Sequence, residues 1–294
     1  MVKRFLYFAF VLFLVACGKN REENTHREGE MVIYADPSNR NVLEALTEIY
    51  QMKFPKVEFK IIYQPENQVL KNLVDTVAYA AFINQGLDEK QTAYIKQLTD
   101  VTPRSTLLAH DAVVFITAKN NPLEALSLPE IKNAILEDTH QIVFDNGNSG
   151  NFNTVQQVLD LKIPEGKNVQ ALGDALAVVE FLQQSKNAIG VIGLNEISEK
   201  DNPQSEAILE KVKILSIVDE NNQVIAPSVP NILALKYPFS KGIYFIVREP
   251  GFGIGNGFSR FAGSQQGQLI IGRAGLQPHF LYERQVQVNS QSIE

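Results

Sequence analysis

From Met31 onward, short β-rich runs alternate with stretches of helical periodicity, and this alternation constrains the fold more than any other feature. Met31–Tyr34 reads as a strand, and Val42, Leu46, Ile49 and Tyr50 then recur at helical spacing. Pro55 closes that helix. Val57–Tyr63 reads as a second strand, Gln68–Val74 as a short helix, Val77–Ile83 as a third strand and Asp88–Leu98 as a polar-faced helix. In the middle of the chain, Ala112–Ala118, Gln141–Phe144, Ala188–Leu194 and Lys211–Val218 read as strands. The helix over Ser127–Leu136 is announced by Ser127 at its N-cap, Pro129 in its first turn and Glu130 completing a capping box. A second helix runs through Leu159 and a third over Asp174–Gln184. Gly242–Val247 is the last strand, and a helix over Gly257–Gly272 is stopped by Gly275 and Pro278. The pattern predicts an α/β protein with largely parallel sheets, and 294 residues is enough for about two domains.

Composition narrows the function classes. With 45% hydrophobic and 20% charged residues, the chain is neither mostly disordered, nor collagen, nor coiled coil. No run of Lys or Arg exceeds two and the net charge is −6, which speaks against a nucleic-acid partner. One Cys excludes an intrachain disulfide, and His26, His110, His140 and His279 have no ligand spacing, so no metal site is expected. No Ser, His and acid pattern suggests an enzyme, and no cofactor motif is complete. The run Gly251–Gly257 matches neither a dinucleotide nor a Walker pattern and reads as a mobile loop. His110-Asp111 reads as a strand start.

The N-terminus has its own logic. Lys3 and Arg4 precede an unbroken apolar run from Phe5 to Val15, too short for a lasting span and suited to a signal peptide. Leu14-Val15-Ala16-Cys17-Gly18 resembles the lipobox of bacterial lipoproteins, so residues 1–16 are expected to be removed and Cys17 to carry lipid. Two or three acyl chains give stable membrane attachment where one is marginal. Residues 17–30 hold no large apolar side chain and read as a flexible tether.

Three strand–turn–helix junctions concentrate small polar residues: Ala35–Arg40, Gln64–Asn67 and Asp145–Asn151. Free backbone N–H groups at such helix starts attract anions, and ligands of open α/β sheets gather at the carboxyl ends of the strands. Capping alone accounts for the first two. The third, with three Asn, one Ser and two Gly in seven residues, is richer than a cap needs.

The segments AHDAVVFITAKNNP, SLPEIKNAIL, VFDNGNSGN, AIGVIGLNEIS and YPFSKGIYFIVREP resemble the substrate-binding lipoproteins of phosphate ABC transporters. So, most specifically, does GFSRFAGSQQGQLIIGRAGLQP, and VFDN before the Ser-Gly loop is similar to the Bacteroidetes-type version. The resemblance implies the two-lobed type II periplasmic-binding-protein fold. Each lobe is a mainly parallel sheet flanked by helices, and the chain crosses twice between them. Residues 31–110 and 243–294 would form lobe 1, and 111–242 lobe 2. It implies a receptor that holds phosphate or a related oxyanion between the lobes for an ABC permease. The alternative on the same fold is a non-transport surface or periplasmic interaction lipoprotein. Carried over residue by residue, the site would comprise Ser38, Asn39, Glu66, Asn67, Asn148, Ser149, Gly150 and Asn151. Two family groups are missing: an Arg near the third loop, where Phe144-Asp145 stands, and an Asp after the third strand, where Phe82-Ile83-Asn84 stands. Arg40 and Lys119 are the candidate substitutes for the cation.

Overall fold

The computed structural model describes residues 25–137, 139–147, 149–163, 169–199 and 202–282. The expected signal peptide, Cys17 and Asn148 therefore lie outside the described residues. The first half of the chain builds β1 (Glu28–Ala35), α1 (Arg40–Lys53), β2 (Lys56–Tyr63), α2 (Glu66–Val74), β3 (Ala80–Ile83) and α3 (Glu89–Thr99), then leaves along β4 (Arg104–Ala118). The middle runs β5 (Ala125–Ser127), α4 (Leu128–Leu136), β6 (Gln141–Phe144), α5 (Gly150–Val158), β7 (Val169–Ala171), α6 (Ala175–Gln184) and β8 (Ala188–Gly193). It continues through α7 (Asn195–Ser198), α8 (Pro203–Lys211), β9 (Val212–Ile214), β10 (Ser216–Val218), β11 (Val224–Ile225) and α9 (Val229–Leu233). The chain returns along β12 (Ser240–Val247) and ends in α10 (Ile254–Ala262), α11 (Gln265–Arg273) and β13 (Gln277–Pro278).

One continuous sheet runs in the order β2-β1-β3-β12-β4-β8-β6-β7. Its ends are parallel: β1 pairs with β2 and β3, and β6 with β7 and β8. Between them, β4 and β12 are antiparallel and belong to both halves. Arg104–Ala112 of β4 pairs with β12, whereas Val113–Ile116 pairs with β8 and Ile116–Ala118 with β9. The cores divide at the same place. One cluster joins Ile33–Ala109 residues to Ile243, Phe245, Phe258 and Ile271, and another joins Ala112, Phe115, Ile142, Val191 and Phe239. In the first, α1 buries the face Val42, Leu43, Leu46 and Tyr50 that its helical spacing creates. Tyr50 packs against Phe59, Phe258 and Phe261 with ring centroids 5.4–5.7 Å apart.

Several sequence expectations need revision. The tether ends earlier than residue 30, because β1 starts at Glu28 and Glu28–Glu30 pair in register with Lys56–Glu58. A backbone ladder does not require apolar side chains, so polar composition hid it. Strand β3 starts at Ala80, after Thr76 takes a positive φ of 62° and turns the chain, leaving Val77 and Tyr79 exposed. The C-terminal helix is two helices: α10 ends at Ala262, and Ser264 caps α11 through the Gly267 N–H. The Gly251–Gly257 run is no mobile loop in its second half. Helix α10 begins at Ile254, and a Cβ on Gly255 would lie 2.3 Å from a Val247 methyl, so glycine serves close packing there. His110-Asp111 lies inside β4 and not at a strand start.

Candidate binding site between the two halves

The carboxyl ends of β1, β3, β6 and β8 and the start of β12 meet between the two halves, where an α/β sheet collects ligands. Five buried or half-buried carboxyl groups gather there: Asp36, Glu66, Asp111, Asp145 and Glu196. They have lost water, so each needs hydrogen bonds or a cation.

From the first half, β1 delivers Asp36 and the turn that opens α1. Asp36 is fully buried. Its Oδ1 accepts from the Ser38 N–H at 2.9 Å and from the Ser38 hydroxyl. Its Oδ2 accepts from the Gly150 N–H at 3.1 Å, in the other half of the molecule. Glu66, in the first turn of α2, has one oxygen accepting from the Asn84 N–H at 2.7 Å and the other from Asn153 Nδ2 at 3.0 Å. Asn67 and Asn153 exchange amide hydrogen bonds, each 3.2 Å.

From the second half, Ser149 caps α5: its hydroxyl accepts from the Phe152 N–H at 3.3 Å and donates to the Asn146 carbonyl at 3.0 Å. Asn151 Nδ2 donates to Asp145 Oδ2 at 2.6 Å, and the other Asp145 oxygen accepts from the Asn146 N–H at 2.7 Å. Gly150 is a close-approach position. A Cβ there would lie 1.8 Å from Asn84 Nδ2, so only glycine admits the Asn84 amide.

Lys241, at the start of β12, is the cation of this site. Its ammonium donates to Asn151 Oδ1 at 2.7 Å and to Asn84 Oδ1 at 3.2 Å, one partner in each half. It lies 3.2 Å from Asp111 Oδ2, an ion pair without hydrogen-bond alignment. Burial pushes Glu66 above the ordinary carboxylate value, against its bonds from Asn153 and Asn84. Burial likewise raises Asp145 to about 6, opposed by Asn151, Asn146 and Lys241. Glu196 rises to about 7 through burial and then the charges of Asp145 and Asp111.

Of the sequence candidates, Ser149, Gly150, Asn151, Glu66 and Asn67 come together across the halves, directly or through Asp36 and Asn153. Ser38 joins them through Asp36 and through a long 3.5 Å contact from Asn84 Nδ2. Asn39 is buried beside Ser38, and its Nδ2 has no hydrogen-bond partner. Neither proposed cation is in the site. Arg40 stacks over the Tyr63 ring at 3.7 Å and pairs with Glu44 on the exposed face of α1, while Lys119 donates to the Leu209 carbonyl at the far end of β4. The sequence reading missed Asp36, Asn84, Asp111, Asn153 and Lys241 as site residues. A signal existed for two of them. Asp111 and Lys241 interrupt or open otherwise apolar strands, and the β4–β12 register makes them direct partners.

The architecture and site define a two-lobed α/β protein with polar groups of both lobes facing one another between them. The chain matches the model of a PBP superfamily domain over residues 20–266 and belongs to that family. Among solved structures it is similar to a putative phosphate ABC transporter substrate-binding protein with bound phosphate from Clostridium perfringens, at 20% identity and a TM-score of 0.66. That likeness covers 85% of this chain and 99% of the other. An ABC-type phosphate transport receptor from Vibrio cholerae matches at 15% identity, TM-score 0.65, covering 85% and 100%. A possible phosphate binding protein from Planctomyces limnophilus matches at 16% identity, TM-score 0.64, covering 85% and 93%. No curated protein matches the sequence significantly. Among the described residues, no helix is long and apolar enough to cross a membrane.

Proposed function

We propose that this chain is an extracytoplasmic solute-binding lipoprotein that captures phosphate or a related oxyanion between its lobes for an ABC permease. One observation carries the reading: the N-terminus of α5 already holds an anion, with the Gly150 N–H 3.1 Å from a carboxylate oxygen. A helix start of this kind accepts a phosphate or sulfate oxygen by the same donors. The unpartnered Asn39 Nδ2 beside Ser38 adds a buried donor without an acceptor. The proteins named above lend the substrate class. The residues proposed as ligand-binding are Ser38, Asn39, Glu66, Asn67, Asn148, Ser149, Gly150 and Asn151, with Lys241 as the cation in place of Arg40 or Lys119.

Attachment through Cys17 and lobes divided at residues 110/111 and 242/243 belong to the same proposal. The lipobox-like segment supports the first, and the change of strand partner within β4 supports the second. Mass spectrometry of the mature protein is expected to find an acylated Cys17 at its N-terminus, and an intact Met1 defeats that part. Calorimetric titration with phosphate, sulfate and arsenate tests the rest. Ser38→Ala and Ser149→Ala are expected to weaken binding about ten- to a hundredfold, the effect of losing a donor to a charged group. If the wild type binds none of the three below millimolar levels, the receptor reading falls.

A second reading has its own observation. The α5 donors are met by Asp36, and Asn153 by Glu66, so the lobes satisfy one another's polar groups with side chains of the chain itself. This favours an interaction lipoprotein on the same fold, without a small ligand, and the same titration separates the two.

A further inference from the structure

We infer, resting on the oxyanion reading above, that Asp36 is a built-in competitor for the oxyanion: its carboxylate caps α5 from the opposite lobe, and a free oxyanion reaches the Gly150 N–H by displacing it. Helix caps are normally local, and α5 has one in Ser149. The Asp36–Gly150 bond spans 114 residues, so it exists only while the lobes are together. Both Asp36 oxygens are engaged. Oδ1 is fixed by Ser38 of its own turn, which leaves Oδ2 aimed at Gly150. Burial of the whole side chain removes the water that would otherwise share this carboxylate.

The chemistry makes the two acceptors interchangeable. A carboxylate and a phosphate each present an anionic oxygen to a backbone N–H at a helix start. They cannot share it without placing two negative charges side by side. Glu66 repeats the arrangement against Asn153, again a carboxylate of the first half against a donor of the second. The first half thus supplies its own anions where an open receptor would leave donors free. Asp36 on this account sets affinity and selectivity by competition: the oxyanion must outbid a tethered carboxylate that already sits at bonding distance.

The experiment compares the wild-type chain with Asp36→Ala and Asp36→Asn. Each is titrated with inorganic phosphate by calorimetry, and exchange of the Gly150 backbone amide is followed in phosphate-free buffer. Asp36→Ala is expected to bind phosphate about ten- to a hundredfold more tightly, the range for regaining a charge-assisted bond. Asp36→Asn should lie between, because its amide oxygen keeps one acceptor but no charge, and it serves if the alanine variant fails to fold. The Gly150 amide should be protected in the wild type and exchange faster in Asp36→Ala. Weaker or unchanged phosphate binding in both variants overturns the inference, and weaker binding makes Asp36 a ligand of the oxyanion. Unchanged Gly150 exchange overturns it whichever way the titrations fall. Phosphate binding in none of the proteins, with Gly150 exchange responding to Asp36→Ala, overturns the oxyanion reading instead and leaves Asp36 as a latch between the lobes.

Discussion

In two of the contacts across the cleft the lobes take opposite parts. The first offers acceptors, Asp36 and Glu66, and the second offers donors, the Gly150 N–H and the Asn153 amide. Yet the turns that carry them read alike in sequence, each a short polar stretch between a strand and a helix. The difference lies in what each turn does with its own groups. Ser38 N–H and hydroxyl are turned inward onto Asp36, whereas Ser149 caps Phe152 and leaves the next N–H, that of Gly150, for a partner across the cleft. The first carboxylate sits directly after the strand in both junctions, and what differs is its partners: Asp36 takes up Ser38 and reaches across the cleft, whereas Asp145 is held by Asn146 and Asn151 of its own half.

The harshest way to break this complementarity is to remove the cation common to both sides. Lys241 holds Asn84 of one lobe and Asn151 of the other and lies against Asp111. Taking one partner from a buried pair leaves an uncompensated charge and costs about 3–5 kcal/mol. Lys241→Met is thus expected to give the largest fall in thermal midpoint. Adding Asp111→Asn should recover part of it, because the orphaned charge is then gone. A double variant no better than the single one would remove Asp111 as the partner that matters.

Proton binding gives a gentler lever on the carboxyl groups of both lobes. Asp145 titrates near 6 against an ordinary 3.8, Glu196 near 7 against 4.5, and Glu66 is raised as well. A carboxyl raised on folding stabilises the fold fully below its ordinary value, and that stability is lost as pH rises through the raised one. Thermal stability should therefore fall between about pH 4 and pH 7, on the order of 2–3 kcal/mol for Asp145 alone, over the lower part of that range. Asp145→Asn should flatten that slope. A profile as steep in the variant would assign the slope to Glu196 and Glu66.

Gly150 tests how tightly the two surfaces fit. Its hydrogen side faces Asn84, and Gly150→Ala puts a methyl carbon 1.8 Å from the Asn84 amide nitrogen. Forcing that carbon in is expected to cost about 1–3 kcal/mol and to part the lobes. A larger radius of gyration by X-ray scattering and a lower thermal midpoint would report it. Asn84→Ala in the same chain should restore only part of the loss, since the Asn84 Cβ itself would lie 3.1 Å away. Full restoration would mean that the polar head of Asn84 alone sets the fit.

What the sequence made legible follows from the range of the interactions. Local rules placed the capping box of Ser127 and Glu130, the strand ending at Phe144 and the Ser149 helix start, because each depends on residues a few positions apart. The third junction stood out because its residue types exceed what a cap requires. The site's cation and its cross-lobe acceptors did not stand out. Lys241 meets Asn84 across 157 residues, and Asp36 meets Gly150 across 114. Those encounters are set by the register of β4 against β12 and by the packing of the two halves, and no local periodicity encodes them. Glu28–Glu30 went unread for the opposite reason: their strand is held by backbone bonds, which leave no side-chain pattern.

The smallest expected effect is also the one that separates a cation in the site from cations near it. Arg40 follows Ser38 and Asn39 in sequence and is an obvious candidate to hold an anion bound there. Its guanidinium instead lies over Tyr63 and pairs with Glu44, both partners about half exposed at 50% and 52%. Exposed pairs of this kind contribute about 0.2–1 kcal/mol. Lys119 sits beyond the last strand pairing of β4, held by a carbonyl of α8 and exposed. Arg40→Ala and Lys119→Met should each leave thermal stability within about 0.5–1 kcal/mol of wild type and leave phosphate titrations unchanged. Lys241→Met should abolish the titration heat. If Arg40→Ala weakens phosphate tenfold or more, its side chain must leave Tyr63 when the oxyanion arrives. The charge of the first lobe's turn would then be switchable, and the pairing of Asp36 with the Gly150 N–H would hold for only one state of the cleft.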